Sequence, residues 1–109
     1  MPELPEVETI KRQLAEKIIG KKIEGKEIKA LWRRGKLLII DFKDDSSLVI
    51  HLKLTGQLIF QGKPGPYTRH IFKLENGYKL IFNDTRKFGW WKMCKDRNDL
   101  EKELRHFGS

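Results

Sequence analysis

The residues with the greatest chemical potential open the chain: Met1-Pro2-Glu3-Leu4-Pro5-Glu6-Val7-Glu8. A small second residue permits removal of the initiator methionine. Removal here leaves Pro2 with a free secondary amine, flanked at once by the Glu3 carboxylate. Such an amine attacks a sugar or carbonyl carbon and forms an iminium directly, dividing one hard step into two easier ones. An α-amino group titrates near ~8, so an appreciable fraction is neutral and nucleophilic at physiological pH. Glu3 can then serve as a general acid beside it. The same opening also suits a protein whose Pro5 merely begins a helix.

Further groups could hold a polyanion. Arg33-Arg34-Gly35-Lys36 sets cations around a glycine just before the apolar run Leu37-Leu38-Ile39-Ile40. Cations clustered at a turn bind phosphate well, because backbone N–H groups and side chains converge there; a solvated loop has the same composition. His51-Leu52-Lys53-Leu54-Thr55-Gly56 alternates polar and apolar residues up to a turn glycine. Either it projects His51 toward a phosphate and Leu54 toward stacked bases, or both leucines face inward and His51 is an ordinary strand residue. Spacing does not choose between these. Asn83-Asp84-Thr85-Arg86-Lys87-Phe88-Gly89 is a polar loop with a cation and an aromatic two residues apart. An exposed Phe88 beside Arg86 suits a wedge that unstacks DNA while the guanidinium replaces an extruded base; a turn with Phe88 in the core is the plain alternative. Arg69, in Tyr67-Thr68-Arg69-His70, either adds a phosphate contact or simply begins a strand. Cys94, His51, His70 and His106 have no ligand spacing, so neither a metal site nor a cofactor is read from the chain.

These groups need a scaffold, and the hydrophobic pattern describes one. Val7, Ile10, Leu14 and Ile18 recur at helical spacing, predicting an amphipathic helix over residues 5–19. Pro5 fits its first turn, Glu6 and Glu8 favour the positive end of its dipole, and Gly20 suits its stop. From Ile23 onward the period becomes two, predicting strands at 23–32, 37–42, 47–54, 57–61, 69–74, 78–83 and 89–95. Asn76-Gly77 is a hairpin turn, and Gly62-Lys63-Pro64-Gly65-Pro66 a longer break. Short strands so spaced imply a mostly β fold, a two-layered antiparallel sandwich rather than alternating βα units. A second helix over 98–106 shows Leu100, Leu104 and Phe107 on one face.

At 109 residues the chain is one domain. Its 39% hydrophobic content excludes a disordered polymer, and no apolar run approaches the ~20 residues of a membrane span. The early acidic residues argue against a secretory signal. A single cysteine precludes an internal disulfide and fits a reducing cytoplasm. The net charge of +8 points to a polyanionic partner, without separating DNA from RNA or an anionic membrane.

Assembled, these residues closely resemble the N-terminal domain of the formamidopyrimidine-DNA glycosylase and endonuclease VIII family. The opening Pro2-Glu3-Leu4-Pro5-Glu6-Val7-Glu8-Thr9 carries the likeness most specifically. Arg33-Arg34-Gly35-Lys36, His51-Leu52-Lys53-Leu54-Thr55-Gly56 and Asp84-Thr85-Arg86-Lys87-Phe88-Gly89 follow in the family's order, so essentially the whole chain is covered.

The resemblance implies a β sandwich flanked by helices and a monomeric, cytoplasmic, nucleoid-associated repair enzyme acting on double-stranded DNA with damaged bases or abasic sites. It implies Pro2 as nucleophile at the anomeric carbon, Glu3 as proton donor to the sugar, and Glu6 organising water and proton transfer. Lys36 corresponds to a phosphate-binding lysine near the lesion and His51 to another phosphate ligand. Arg34 and Arg69 join the same DNA-binding face. Leu54, Arg86 and Phe88 match the trio that fills the gap left by the flipped nucleotide.

Three departures stand out. Leu54 occupies a position where formamidopyrimidine glycosylases usually carry methionine, a residue of similar bulk. The distance from the first helix to Lys36 is short for the family, which implies a trimmed segment on that side. The family normally continues into a helix–two-turn–helix domain and a four-cysteine zinc finger, and nothing follows residue 109 here. The chain is accordingly read as a fragment or a natural minimal version of the catalytic domain, with a DNA-binding module of little catalytic power as the alternative.

Overall fold

Among the described residues helix α1 (Leu4–Ile18) is followed by eight strands and then a second helix. The computed structural model describes residues 4–35, 37–52, 56–86 and 89–106, without the side chains of 4–8 and 106. The strands are β1 (Lys22–Ile23), β2 (Lys26–Arg34), β3 (Leu37–Phe42), β4 (Ser47–His51), β5 (Gly56–Phe60), β6 (Thr68–Lys73), β7 (Lys79–Asp84) and β8 (Trp90–Cys94). Helix α2 (Arg97–His106) follows. One antiparallel sheet has the order β1-β2-β3-β4-β8 and the other β5-β7-β6. The expected sandwich is observed, with one strand more than the sequence pattern suggested.

The extra strand arises at Glu24-Gly25. The pattern over 23–32 reads as one strand, but the chain reverses here with φ of 49° and 84°, and Ile23 then pairs with Lys26. Two successive residues at positive φ are what a two-residue hairpin turn requires, because that turn matches the right-handed twist of its strands. Glutamate lacks the short side chain that makes Asn or Asp tolerant of this region, so the signal is hard to see. Asn76-Gly77 makes the same reversal between β6 and β7, with φ of 61° and 79°, as the sequence predicts.

Period-two alternation sorts the apolar residues between two cores. Leu38, Ile40 and Phe42 of β3, with Leu48 and Ile50 of β4, face Leu58, Leu80, Phe82 and Phe72 of the smaller sheet. Leu14 and Ile18 of α1 close the same core from the side. The alternate residues Leu37, Ile39 and Val49 point the other way and are covered by Leu100 and Leu104 of α2, with Cys94 among them. β3 is therefore buried along its whole length, which explains its uninterrupted apolar sequence.

Each fully buried aliphatic side chain contributes about 1.5–3 kcal/mol from apolar area alone. Asp41, on the α2 side, is tolerated because its two oxygens accept from Trp32 Nε1 at 2.8 Å and Ser47 Oγ at 2.7 Å. Burial, together with Asp99 and Glu103, pushes the Cys94 thiol up to about 11, so it is an inert packing residue at neutral pH. Among the described residues no helix is long and apolar enough to cross a membrane.

Candidate nucleic-acid interface

Strand register gathers the cationic groups at one end of the sandwich. Arg34, the last residue of β2, pairs with Leu37; Leu37 pairs with His51, and His51 pairs with Trp90. Arg34, His51 and Trp90 thus lie in one row across the edge of the larger sheet. In the smaller sheet Gly56 pairs with Asp84, and neighbouring Asn83 pairs with Thr68. Residues from distant parts of the sequence meet because antiparallel strands return every second turn to the same end.

The turns at this end are tightly specified. Gly35 has φ of 60°, and Arg33 Nη1 donates to its carbonyl at 3.2 Å. Gly56 N–H donates to Leu52 O at 2.8 Å. A Cβ on Gly56 would lie 2.4 Å from that same carbonyl oxygen, so only glycine allows the closure.

Asp84 organises the third loop. It is fully buried, and its Oδ1 accepts from Arg86 N–H at 3.1 Å while Oδ2 accepts from Gly89 N–H at 2.5 Å. One carboxylate thereby holds the backbone N–H groups of both Arg86 and Gly89. Asp84 N–H also donates to Tyr67 O at 2.9 Å, joining this loop to the approach of β6. The backbone of Gly89 runs so close to His51 O that a Cβ would sit 2.9 Å from it. The two sheets therefore share a rigid seam, and Arg86 projects from it exposed.

His51 is half-buried, not a surface residue: its ring stacks on Trp90 at 5.7 Å between centroids and 12° between planes. Stacking of this kind holds an imidazole in one orientation at the sheet edge. Arg69 is the extra residue of a bulge in β6, since Thr68 and His70 pair with adjacent residues Asn83 and Phe82. A bulge re-aims its side chain, and Arg69 is exposed.

The structure thus brings together Arg34, His51 and Arg86 at one end, with Arg69 beside the start of β6. Glu6 falls in the first turn of α1, with its side chain outside the described set. Pro2, Glu3, Lys36, Leu54 and Phe88 lie outside the described residues. Two contributors escaped the sequence reading. Trp90 carried no signal beyond being aromatic, whereas Asp84 carried one: an Asp two residues before a loop N–H is the pattern of an Asx turn. Among the described residues no three His, Cys, Asp or Glu side chains gather as a metal site would need.

Comparison with known proteins bears directly on this arrangement. The formamidopyrimidine-DNA glycosylase N-terminal domain matches residues 1–28 and 21–91. The Rickettsia africae formamidopyrimidine-DNA glycosylase is 43% identical over 129 aligned positions, covering 95% of this chain and 47% of the relative. The Carboxydothermus hydrogenoformans protein of that name is 43% identical over 115 positions, covering 82% and 43% respectively. Among solved structures, MutM in complex with DNA containing carbocyclic 8-oxo-G superimposes with a TM-score of 0.80 at 32% identity, over 96% of this chain and 48% of that one. The Lactococcus lactis enzyme bound non-covalently to DNA with an abasic site gives 0.79 at 31% identity, over 95% and 49%.

The chain spans about half the length of the curated relatives it matches. An alignment of 129 positions exceeds the 109 residues present, so the relative carries residues without counterpart here. The two family matches overlap at residues 21–28, which bracket the Glu24-Gly25 turn.

Proposed function

This chain belongs to the formamidopyrimidine-DNA glycosylase family, and from that premise we propose that it is a base-excision repair glycosylase and abasic-site lyase domain acting through the Pro2 amine. The observation that carries this reading is the gathering of Arg34, His51 and Arg86 along one end of the sandwich. Solved relatives of 31–32% identity hold damaged or abasic DNA, and a cationic rim of this kind suits the same ligand.

In the proposed reaction the Pro2 nitrogen attacks the anomeric carbon of the extruded nucleotide while Glu3 donates a proton to the sugar. The base departs with its bonding electron pair, the sugar's C1′–O4′ bond then opens with O4′ taking the proton that Glu3 supplies, and the resulting iminium draws electrons from the adjacent carbon. Loss of a proton there expels the 3′ phosphate, and a second elimination expels the 5′ phosphate. Glu6 organises water and proton transfer beside the sugar. Arg34, Lys36, His51 and Arg69 hold phosphates, so they fix register and do not read sequence. Leu54, Arg86 and Phe88 fill the space the flipped nucleotide leaves, offsetting a few kcal/mol of unstacking.

Because the chain covers about half of its relatives, a second reading is a DNA-binding module with weak catalysis. Duplex DNA with one abasic site and duplex DNA with one oxidised guanine separate the two. The lyase reading expects cleavage at the abasic site that leaves phosphate on both flanking ends. Binding to both duplexes without any cleavage would leave only the module.

Lys36 gives an independent check on the phosphate assignments. Lys36→Ala should weaken binding to every duplex alike and lower the slope of log K against log salt by about 1, as one lost phosphate contact requires. Titrations at three salt concentrations measure this, and an unchanged slope would remove Lys36 from the interface.

A further inference from the structure

The opposite end of the sandwich carries a second cationic surface, built differently from the first. β5 runs from Gly56, at the candidate interface, to Phe60 at the far end, and β7 begins there at Lys79. Phe60 and Tyr78 lie side by side at this far end, with ring centroids 5.5 Å apart and planes tilted by 50°. Lys17, in the last turn of α1, holds its ammonium 5.7 Å from the Phe60 centroid. Lys21, just past the helix, holds its own 5.3 Å from the Tyr78 centroid.

These two lysines differ from their neighbours. Lys26 pairs with Asp44 at 3.3 Å, and Lys43 with Glu27 at 2.7 Å. Among the described residues Lys17 and Lys21 have no carboxylate partner, only the aromatic faces. The carboxylate beside Tyr78, on Glu75, accepts instead from the backbone N–H of Lys22. Tyr78 is 36% exposed, and the ring of Phe60 beside it is half-buried. An exposed aromatic ring beside two lysines without carboxylate partners marks a surface for a partner that is both anionic and flat-faced.

We propose that this far end is a second nucleic-acid contact, taking a single-stranded segment whose phosphates meet Lys17 and Lys21 and whose base stacks on Tyr78. Stacked aromatics with flanking cations are how proteins hold single strands without reading sequence. A duplex hides its base faces and gains nothing from Tyr78. An acidic polypeptide satisfies the lysines but makes no use of the exposed part of the Tyr78 ring. The surface is separated from the candidate lesion-binding end by the length of α1, about 20 Å at 1.5 Å per residue. One molecule can therefore engage two strands at once, and the inference stands whether or not Pro2 is a nucleophile.

Stoichiometric titration of the full chain with fluorescein-labelled hexathymidylate, followed by anisotropy, tests this. The wild type is expected to bind two oligonucleotides per chain. Lys17→Gln/Lys21→Gln and Tyr78→Leu should each bind one, and Tyr78→Phe, which keeps the ring, should still bind two. In the double variant the salt slope of the far-end site should vanish with the site, a loss of about 1.4 for two single-strand phosphate contacts. Lys17 and Tyr78 are exposed and Lys21 is half-buried, and circular dichroism verifies that the variants fold. One oligonucleotide per wild-type chain would overturn the proposal, as would two on either loss variant. Displacement of the second oligonucleotide by polyglutamate with equal affinity for wild type and Tyr78→Leu would assign the surface to an acidic protein instead.

Discussion

Borohydride added to the methionine-trimmed protein and a duplex with one abasic site should yield a covalent protein–DNA adduct, and Pro2→Gly should reduce its yield by about a hundredfold or more. The expectation follows from the order of a secondary amine. When Pro2 attacks the sugar aldehyde and water leaves, the product is an iminium that carries a fixed positive charge. Hydride then adds to that carbon and locks the link as a tertiary amine. A glycine terminus gives a neutral imine that must first capture a proton before it becomes an equal electron sink. Glycine also frees the backbone where proline's ring fixes φ, so the nitrogen spends less time near the sugar. Aligned intramolecular attack is worth orders of magnitude in rate, and small misplacements forfeit much of it. An acylated or tagged terminus has no basic nitrogen and should give no adduct at all. Mass spectrometry of the trapped species reports both methionine removal and the attachment site. Adduct persisting on a blocked terminus would move the chemistry to a lysine and end the assignment to Pro2.

Much of the scaffold was legible because its determinants are local. Leu38, Ile40 and Leu37, Ile39 alternate between two cores, and alternation is visible in any strand that is buried on one or both faces. Asn76-Gly77 specifies its turn by residue type alone. What escaped depended on contacts between distant segments. Glu24-Gly25 turns because Ile23 also bridges Leu74, fifty-one residues on, and Glu24 N–H donates to Lys73 O at 2.8 Å. Those long-range bonds hold a glutamate at positive φ against its preference. The second helix shows its apolar face in Leu100 and Leu104, yet nothing in that pattern says it covers the outer face of β3 and β4.

The site was legible to a different degree. Arg34, His51 and Arg86 are separated by seventeen and thirty-five residues, and only strand register places them on one rim. The alternation around His51 left its direction open. In the structure Trp90 lies opposite on β8 and stacks on the imidazole, and Leu52 is buried. Sequence motifs therefore singled out residues, while the pairings that bring Arg34, His51 and Arg86 to one end are properties of the folded sandwich.

Asp84→Ala is the substitution expected to damage both stability and binding. The carboxylate is fully buried and holds the Arg86 and Gly89 N–H groups from its two oxygens. Its removal leaves two backbone donors without an acceptor, at about 1–3 kcal/mol each when water cannot replace it. For a domain of this size about 1 kcal/mol moves the melting temperature by roughly 4–8 °C, so a fall on the order of 10–20 °C is expected. Asp84→Asn should fall between, because its amide offers one acceptor oxygen and turns N–H against N–H at the other bond. Arg86→Ala provides the contrast: an exposed side chain leaves the melting temperature within a few degrees while weakening DNA binding. If Asp84 acts by positioning Arg86, then Asp84→Asn should lose part of its DNA affinity even at temperatures where it is fully folded. Adding Arg86→Ala to it should cost little more, as expected for two residues acting through one loop. Full additivity of the two losses would make Asp84 a purely structural residue, and the loop geometry would then have no bearing on how this end of the sandwich meets DNA.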